Sequence, residues 1–323
     1  MANVRPDRAE KSSRWNGLER GQLILIAGLT IAVILVALVL LLNTVIYTEN
    51  LASRGIDAGG MDALEYRLAV IGGVGELLDE ENRQSGNFSE KEIRVEDGIE
   101  GIDEALAANR IRQGVLAEVN HSSVDTREGI FVAQNESQQF LSDENSSSWT
   151  LATDVTAVRQ FTVEVDGATT IDASNATDGF RLNVTDGSDT WSLFVYTDED
   201  SGNLTVATTE NVDPPVCSVN ASAINASSVT LDVTGATLAG SPCDDLQWGE
   251  GVGQPYTIEI GNGSEIEGTY ELTVAGEPGD LDGAGESPFY QEAVYSATME
   301  ITYQTSDLHF VTNVRIAPGE PRG

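Results

Sequence analysis

From Leu23 to Leu42 every residue is apolar except Thr30 and the small Gly28, and no charged side chain occurs between Arg20 and Glu49. At about 1.5 Å of rise per residue, a helix of this length covers about 30 Å, the thickness of a bilayer's hydrocarbon core. The run therefore predicts a transmembrane helix over residues 23–47. A secretory signal peptide has a shorter apolar core of about 7–15 residues, and only the weak stretch TENLASR follows as a cleavage site, so a retained anchor is expected.

Charge sets the orientation. The head, residues 1–22, carries Arg5, Arg8, Lys11, Arg14 and Arg20 against Asp7, Glu10 and Glu19, whereas the remainder holds 12 basic and 49 acidic residues. Basic residues beside a span resist translocation, which places a cytoplasmic basic head inside and the long acidic part outside the cell. Asparagine usage agrees. Ten of the eighteen asparagines lie in N-x-S/T sequons, at Asn87, Asn120, Asn135, Asn145, Asn175, Asn183, Asn203, Asn220, Asn225 and Asn262, all beyond the apolar run. The competing explanation is that Asn, Ser and Thr co-occur in the turns of a polar β protein. The two cysteines, Cys217 and Cys243, also fall on the outer side, where one disulfide is expected to stabilise the fold by roughly 3 kcal/mol. A zinc site is disfavoured, because no second Cys or His stands at ligand spacing.

The formal charge is −35, yet the acids are dispersed and only two lysines, Lys11 and Lys91, accompany fifteen arginines. This composition resembles that of proteins from salt-loving archaea. At 1 M salt the Debye length is about 3 Å, so surface carboxylates scarcely repel one another. The acid is read as a solvated surface, and nucleic acid is excluded as a partner because nothing here neutralises phosphates.

Beyond the connector ASRGIDAGG, Met61, Leu64, Leu68, Ile71, Val74 and Leu78 recur at helical spacing. After NRQSGNFS, Ser89 and Glu92 have the spacing of a capping box for a second helix whose apolar residues Val95, Ile99, Ile102, Leu106, Ile111 and Val115 continue to about Glu118. Residues 48–120 are thus expected as a helical stalk, packed as a hairpin above the membrane. From about Phe131 the period becomes alternating. FTVEVDG, FRLNVTDG, WSLFVYTD, LTVATT, VTLDVTG, YTIEIGNG and TYELTVAG are rich in Val, Thr and aromatics and end in turn residues. YSATMEITYQ and LHFVTNVRIA read as a hairpin around Thr-Ser-Asp, with Tyr295, Ala297, Met299, Ile301 and Tyr303 on one face opposite Leu308, Phe310, Val314 and Ile316. The fold class is α+β: one N-terminal transmembrane helix, a short helical hairpin stalk, and an antiparallel β-sandwich-like ectodomain over residues 131–318.

Little chemistry stands out. His121 and His309 are the whole supply of groups titrating near neutrality, and no G-x-S-x-G, H-E-x-x-H, Walker or dinucleotide pattern occurs. No catalytic residue, cofactor or metal ligand is assigned. Asp198, Glu199, Asp200 and Asn203 in one turn, and Asp280, Asp282 and Glu286 in a Gly-rich loop, offer oxygen ligands of the kind calcium takes, though neither matches an EF-hand and solvated turns explain both.

Arg20-Gly21-Gln22, directly before the apolar run, resembles the cleavage site of archaeal type IV pilin-like precursors, which are cut between the Gly and the following residue. That resemblance implies peptidase cleavage between Gly21 and Gln22; an uncut anchor is the alternative. Pilin-like sequences carry Glu at the fifth mature position, where this chain has Ile26, which argues against filament assembly. RGQLILIAG, LNTVIYTENLASRG and the terminal YSATMEITYQTSDLHFVTNVRIAPGEP resemble an uncharacterised haloarchaeal family of anchored surface proteins. The resemblance implies location without chemistry. The expectation is a single-pass cell-membrane protein with a glycosylated acidic ectodomain. Its role is structural or interactive, as a pilin-like accessory in one form, and its partners are membrane lipid and other cell-surface or pilin-like subunits. The alternative is a membrane-tethered extracellular ligand-binding protein or hydrolase. A signal-transducing receptor is disfavoured by a head too short for an output domain.

Overall fold

A computed structural model describes residues 60–166, 172–173, 175–220, 228–281, 283 and 287–321. The head, the apolar run and the Gly21-Gln22 pair lie outside these residues. No helix among the described residues is long and apolar enough to cross a membrane.

Among the described residues two helices, α1 (residues 60–83) and α2 (Phe88–Ile111), precede fourteen strands. These are β1 (Leu116–Gln139), β2 (Trp149–Val165), β3 (Asp172–Ala173), β4 (Phe180–Thr185), β5 (Thr190–Asp198), β6 (Asn203–Thr208), β7 (Cys217–Asn220), β8 (Val229–Asp232), β9 (Thr237–Leu238), β10 (Ser241–Pro242), β11 (Tyr256–Gly261), β12 (Glu267–Pro278), β13 (Phe289–Gln304) and β14 (His309–Ile316). The main path runs β14-β13-β1-β12-β2-β11-β4-β5-β6-β7, with β8 joining β2 and leading to β9 and β10. All pairings along the path are antiparallel; the short β3 lies parallel to β5. The result is an α+β fold with a large, sandwich-like antiparallel β region, and each expected β segment contains a strand.

Two main hydrophobic cores form. The larger gathers inward side chains of β2, β4, β5, β6, β8, β11 and β12, including Trp149, Phe161, Trp191, Ile258 and Leu272. The second lies between the helical hairpin and the β14-β13-β1 end of the sheet, where Tyr66, Val70, Val74, Leu78, Val95 and Ile99 meet Met299, Ile301, Tyr303 and Val314. The hairpin thus packs on the sheet from Ala63 onward, within the same compact unit, and does not stand apart as a stalk.

The terminal hairpin follows its alternation closely. Ala297 faces Ile316, Met299 faces Val314 and Tyr303 faces Phe310, while His309, Val311, Asn313 and Arg315 are exposed on the other side. Elsewhere, local pattern and structure diverge. On α1 the buried face is Ala63, Tyr66, Val70, Val74 and Leu78, whereas Leu64 and Leu68 are 51% and 55% exposed. Both stripes have helical spacing; burial of the second depends on Tyr66 finding a carboxylate acceptor, Asp103. The cap of α2 is Asn87, not Ser89: its side chain accepts from Glu90 N while Glu90 reaches back to Asn87 N. The helix ends at Ile111 because Gly114 turns the chain in the left-handed region, φ 78°, and β1 begins at Leu116, well before Phe131. Ala117, Val119 and Ile130 are the buried apolar side chains of that first stretch, too irregular an alternation to register in the sequence.

Candidate functional site

Four places concentrate polar or accessible groups. The first is where the last turn of α1 meets β13. The strand β14 covers β13 only as far as the Ala297–Ile316 pair, so the backbone of Val294 lacks a strand partner on that side. Asn82, 1% exposed, supplies one: its Oδ1 accepts from Val294 N at 2.9 Å and its Nδ2 donates to Val294 O at 3.0 Å. The carbonyl of Asn82 in turn accepts from Lys91 Nζ at 3.1 Å and from Gln291 Nε2. Arg159, fully buried, donates to Asp79 at 2.5 Å and to Val294 O at 3.3 Å. Burial raises the Asp79 carboxyl and lowers the Arg159 guanidinium from their ordinary values, because loss of solvent outweighs their mutual attraction. Burial also pushes Lys91 down to about 8, helped by the charge of Arg94 and opposed by Glu81 and Glu292. Asn82 and Arg159 tie the hairpin to the sheet, and Lys91 ties α2 to α1, so the cluster is a clamp.

The second place joins both helices to β1. Asp103 accepts from Tyr66 Oη at 3.0 Å, from Val119 N at 3.0 Å and from His121 Nε2 at 3.2 Å. Burial and the neighbouring Asp103 carboxylate hold the Tyr66 hydroxyl protonated far above the usual phenol range. The arrangement resembles a His-carboxylate pair without a nucleophile in the third position, and its backbone bond to Val119 marks it as structural.

The third is a cleft of about 910 Å³ between the segment leading into β11 and the carboxyl-terminal tail, lined among others by Trp248, Glu250, Gln254, Tyr256 and Glu320. Trp248 Nε1 donates to Tyr256 Oη at 3.1 Å, and the indole packs against Phe161 and Trp191. Arg315 and Tyr295 both donate to Glu320, and the Arg315 bond holds its carboxyl below the usual range. Of these two carboxylates Glu320 is already committed, which leaves Glu250 as the exposed acid of the wall.

The fourth is the β14 edge. Among the described residues only β13 hydrogen-bonds to its backbone across strands; the other contact there is Thr312 Oγ1 on neighbouring Asn313 O. The eight-residue strand contains no acid, Lys or Pro, and Val311 is 46% exposed on it. At the opposite end of the path, β7 is four residues long and ends on the sequon residue Asn220.

Cys217 and Cys243 are joined in a disulfide that ties β7 to the segment after β10. Asp198 accepts from Ser201 N and Oγ in an exposed turn, which lowers its carboxyl, and Asp280 accepts from Thr150 N at 2.8 Å. Asp282 and Glu286 lie outside the described residues, among which no cluster of His, Cys, Asp or Glu could hold a metal ion. His309 is exposed on β14, remote in role from His121. Of the nine sequon asparagines besides Asn262, eight are surface or half-buried positions, and the ninth, Asn225, lies outside the described residues. The Asn82 clamp and the Trp248 cleft carried no sequence signal, since their members come from segments up to 212 residues apart.

The class defined by these features is a disulfide-bonded α+β protein in which a helical hairpin is clamped to a large antiparallel sheet. Residues 17–140 match the model of a family of unknown function, DUF7261. The match runs from before the apolar segment through both helices to the end of β1. No curated protein and no solved structure matches the chain.

Proposed function

We propose that this chain is a single-pass membrane protein, its amino terminus in the cytoplasm and its α+β domain outside the cell, that acts as an assembly module at the cell surface. The uncharged run of residues 23–42, the basic head and the outward sequons support the topology. The observation that carries the assembly role is the outer edge of β14, which no strand among the described residues pairs. An edge strand this long, without Lys, Pro or a bulge, is a template for strand addition.

The occupant is a second copy of the chain. An antiparallel pair of β14 strands centred on Asn313 sets Val311 against Arg315 and keeps Phe310 and Ile316 on the helix-covered side, so both cores continue across the joint. The strand bears Arg315 and His309 in a chain of net charge −35, which spares the joint the repulsion that acidic faces would bring. A role as an accessory of pilin-like assemblies is one form of this function.

The test is the mass of the full chain extracted in mild detergent at molar salt. Oligomers are expected, and the double variant Val311→Lys, Asn313→Lys should reduce them to monomer. A wild type that is monomeric at membrane-like concentrations overturns the assembly role. Intact mass and amino-terminal sequencing of the native protein check the anchor: a start at Gln22 means pilin-type processing, a start at Met1 or Ala2 an uncut anchor.

The Trp248 cleft favours a second reading, a membrane-tethered protein that binds a small extracellular ligand or hydrolyses it. Among the described residues its wall has no cationic side chain, which favours a neutral or basic ligand.

A further inference from the structure

We propose that Asn262 is a structural asparagine that never carries sugar, and that the oligosaccharide goes to Asn87, Asn135, Asn145 and Asn175. This rests on the surface-glycoprotein reading above and divides sequons that are equivalent in the sequence.

Glycosylation replaces one of the two hydrogens on the side-chain amide nitrogen, so an acceptor asparagine needs a nitrogen that solvent can reach and that the fold does not fully use. Asn262 uses both hydrogens. Its Nδ2 donates to Thr177 O at 3.3 Å and to Gly179 O at 3.0 Å. Both neighbours are carbonyl oxygens, so only the NH₂ end of the amide can face them. The residue is half-buried and sits in the left-handed region, φ 53° and ψ 39°, at the entry to the 3₁₀ turn Gly263–Glu265, where asparagine is tolerated better than most residues. The backbone on both sides of this contact is close-packed: a side chain on Gly179 would meet Tyr196 Cβ at 2.7 Å, and one on Gly263, next to Asn262, would meet Phe140 O at 2.0 Å. A sugar on Asn262 would replace one of these two hydrogens, break that bond outright and drive its anomeric carbon into the carbonyl that accepted it.

The exposed sequons differ in this respect. Asn87 and Asn175 each engage only Oδ1, accepting from Glu90 N and Thr177 N, and their nitrogens have no partner among the described residues. Asn135 and Asn145 are exposed, and their side chains make no hydrogen bond among the described residues. Asn120 is intermediate: it spends one N–H on the movable Glu300 carboxylate, at 3.2 Å, and a glycosylated amide would still have that hydrogen.

Glycopeptide mass spectrometry of the protein from its native host reads occupancy at each sequon, and melting of full-length variants reads the role of the amide. Sugar is expected on Asn87, Asn135, Asn145 and Asn175, with Asn262 bare. Asn262→Asp, which turns a carboxylate toward two carbonyls, should lower the melting temperature by about 4 °C or more, while Asn145→Asp leaves it within about 1 °C. A glycan on Asn262 in folded protein, or an Asn262→Asp variant that melts like the wild type, overturns the proposal. Sugar on none of the ten sequons refutes the glycoprotein reading itself, and the melting comparison then still decides whether Asn262 is structural.

Discussion

Replacing Asn82 by alanine isolates the clamp between α1 and the sheet. The substitution removes two hydrogen bonds to Val294 and leaves the effects on that residue unequal. Val294 O retains Arg159 Nη2 at 3.3 Å, but Val294 N has no other acceptor among the described residues and sits in a residue that is 0% exposed. An orphaned buried N–H costs about 1–3 kcal/mol, and the second lost bond adds about 1, so a loss of about 2–4 kcal/mol is expected. Asn82→Asp should lose at least as much, since its carboxylate still accepts from Val294 N but opposes Val294 O. Urea unfolding of the full chain in detergent, followed by circular dichroism at 222 nm, gives the difference against Asn109→Ala. Asn109 is exposed on α2, so that control should stay within about 0.5 kcal/mol of wild type. An Asn82→Ala variant as stable as the control would mean that water reaches Val294 and that the hairpin does not depend on the clamp.

Lys91 gives a pH signature: its folded value of about 8 lies below the 10.5 of the unfolded chain, so the unfolded state holds more protons between them. Stability should therefore rise by about 2 kcal/mol between pH 8 and 9.5, and Lys91→Met should flatten the rise; an unchanged profile in the variant rules Lys91 out as its source. Reduction of Cys217–Cys243, which spans 26 residues, should cost about 3.5 kcal/mol, and equal melting of oxidised and reduced protein would contradict it. Transfer from molar salt to dilute buffer should lower the melting temperature through carboxylate repulsion in a chain of net charge −35; an unchanged midpoint would refute the halophilic reading of that charge.

Wherever one strand or helix interacts through its own periodicity, the chain was legible from sequence. The β13–β14 hairpin is the clearest instance: alternation of Tyr295, Ala297, Met299, Ile301 and Tyr303 determined both the buried face and the register, because a one-residue slip would turn every side chain outward. Two cysteines on one side of an apolar run likewise left a single pairing. Two choices were not local. The stripe read on α1 leaves Leu64 and Leu68 exposed, while Tyr66 is buried and donates to Asp103, 37 residues away. The capping box read at Ser89 forms instead at Asn87, beside Phe88, whose N–H donates to Glu292, 204 residues away.

The same division holds for function. Charge, the apolar run and the sequons are properties of composition and order, so the sequence by itself determined the expectation of an anchored surface protein. Whether an asparagine nitrogen faces solvent or two carbonyls, and whether a strand edge is covered, depend on partners brought together by long-range pairing. Asn262 and Asn145 share a sequon pattern; only the folded chain, by placing Thr177 O and Gly179 O against one of them, makes them chemically different.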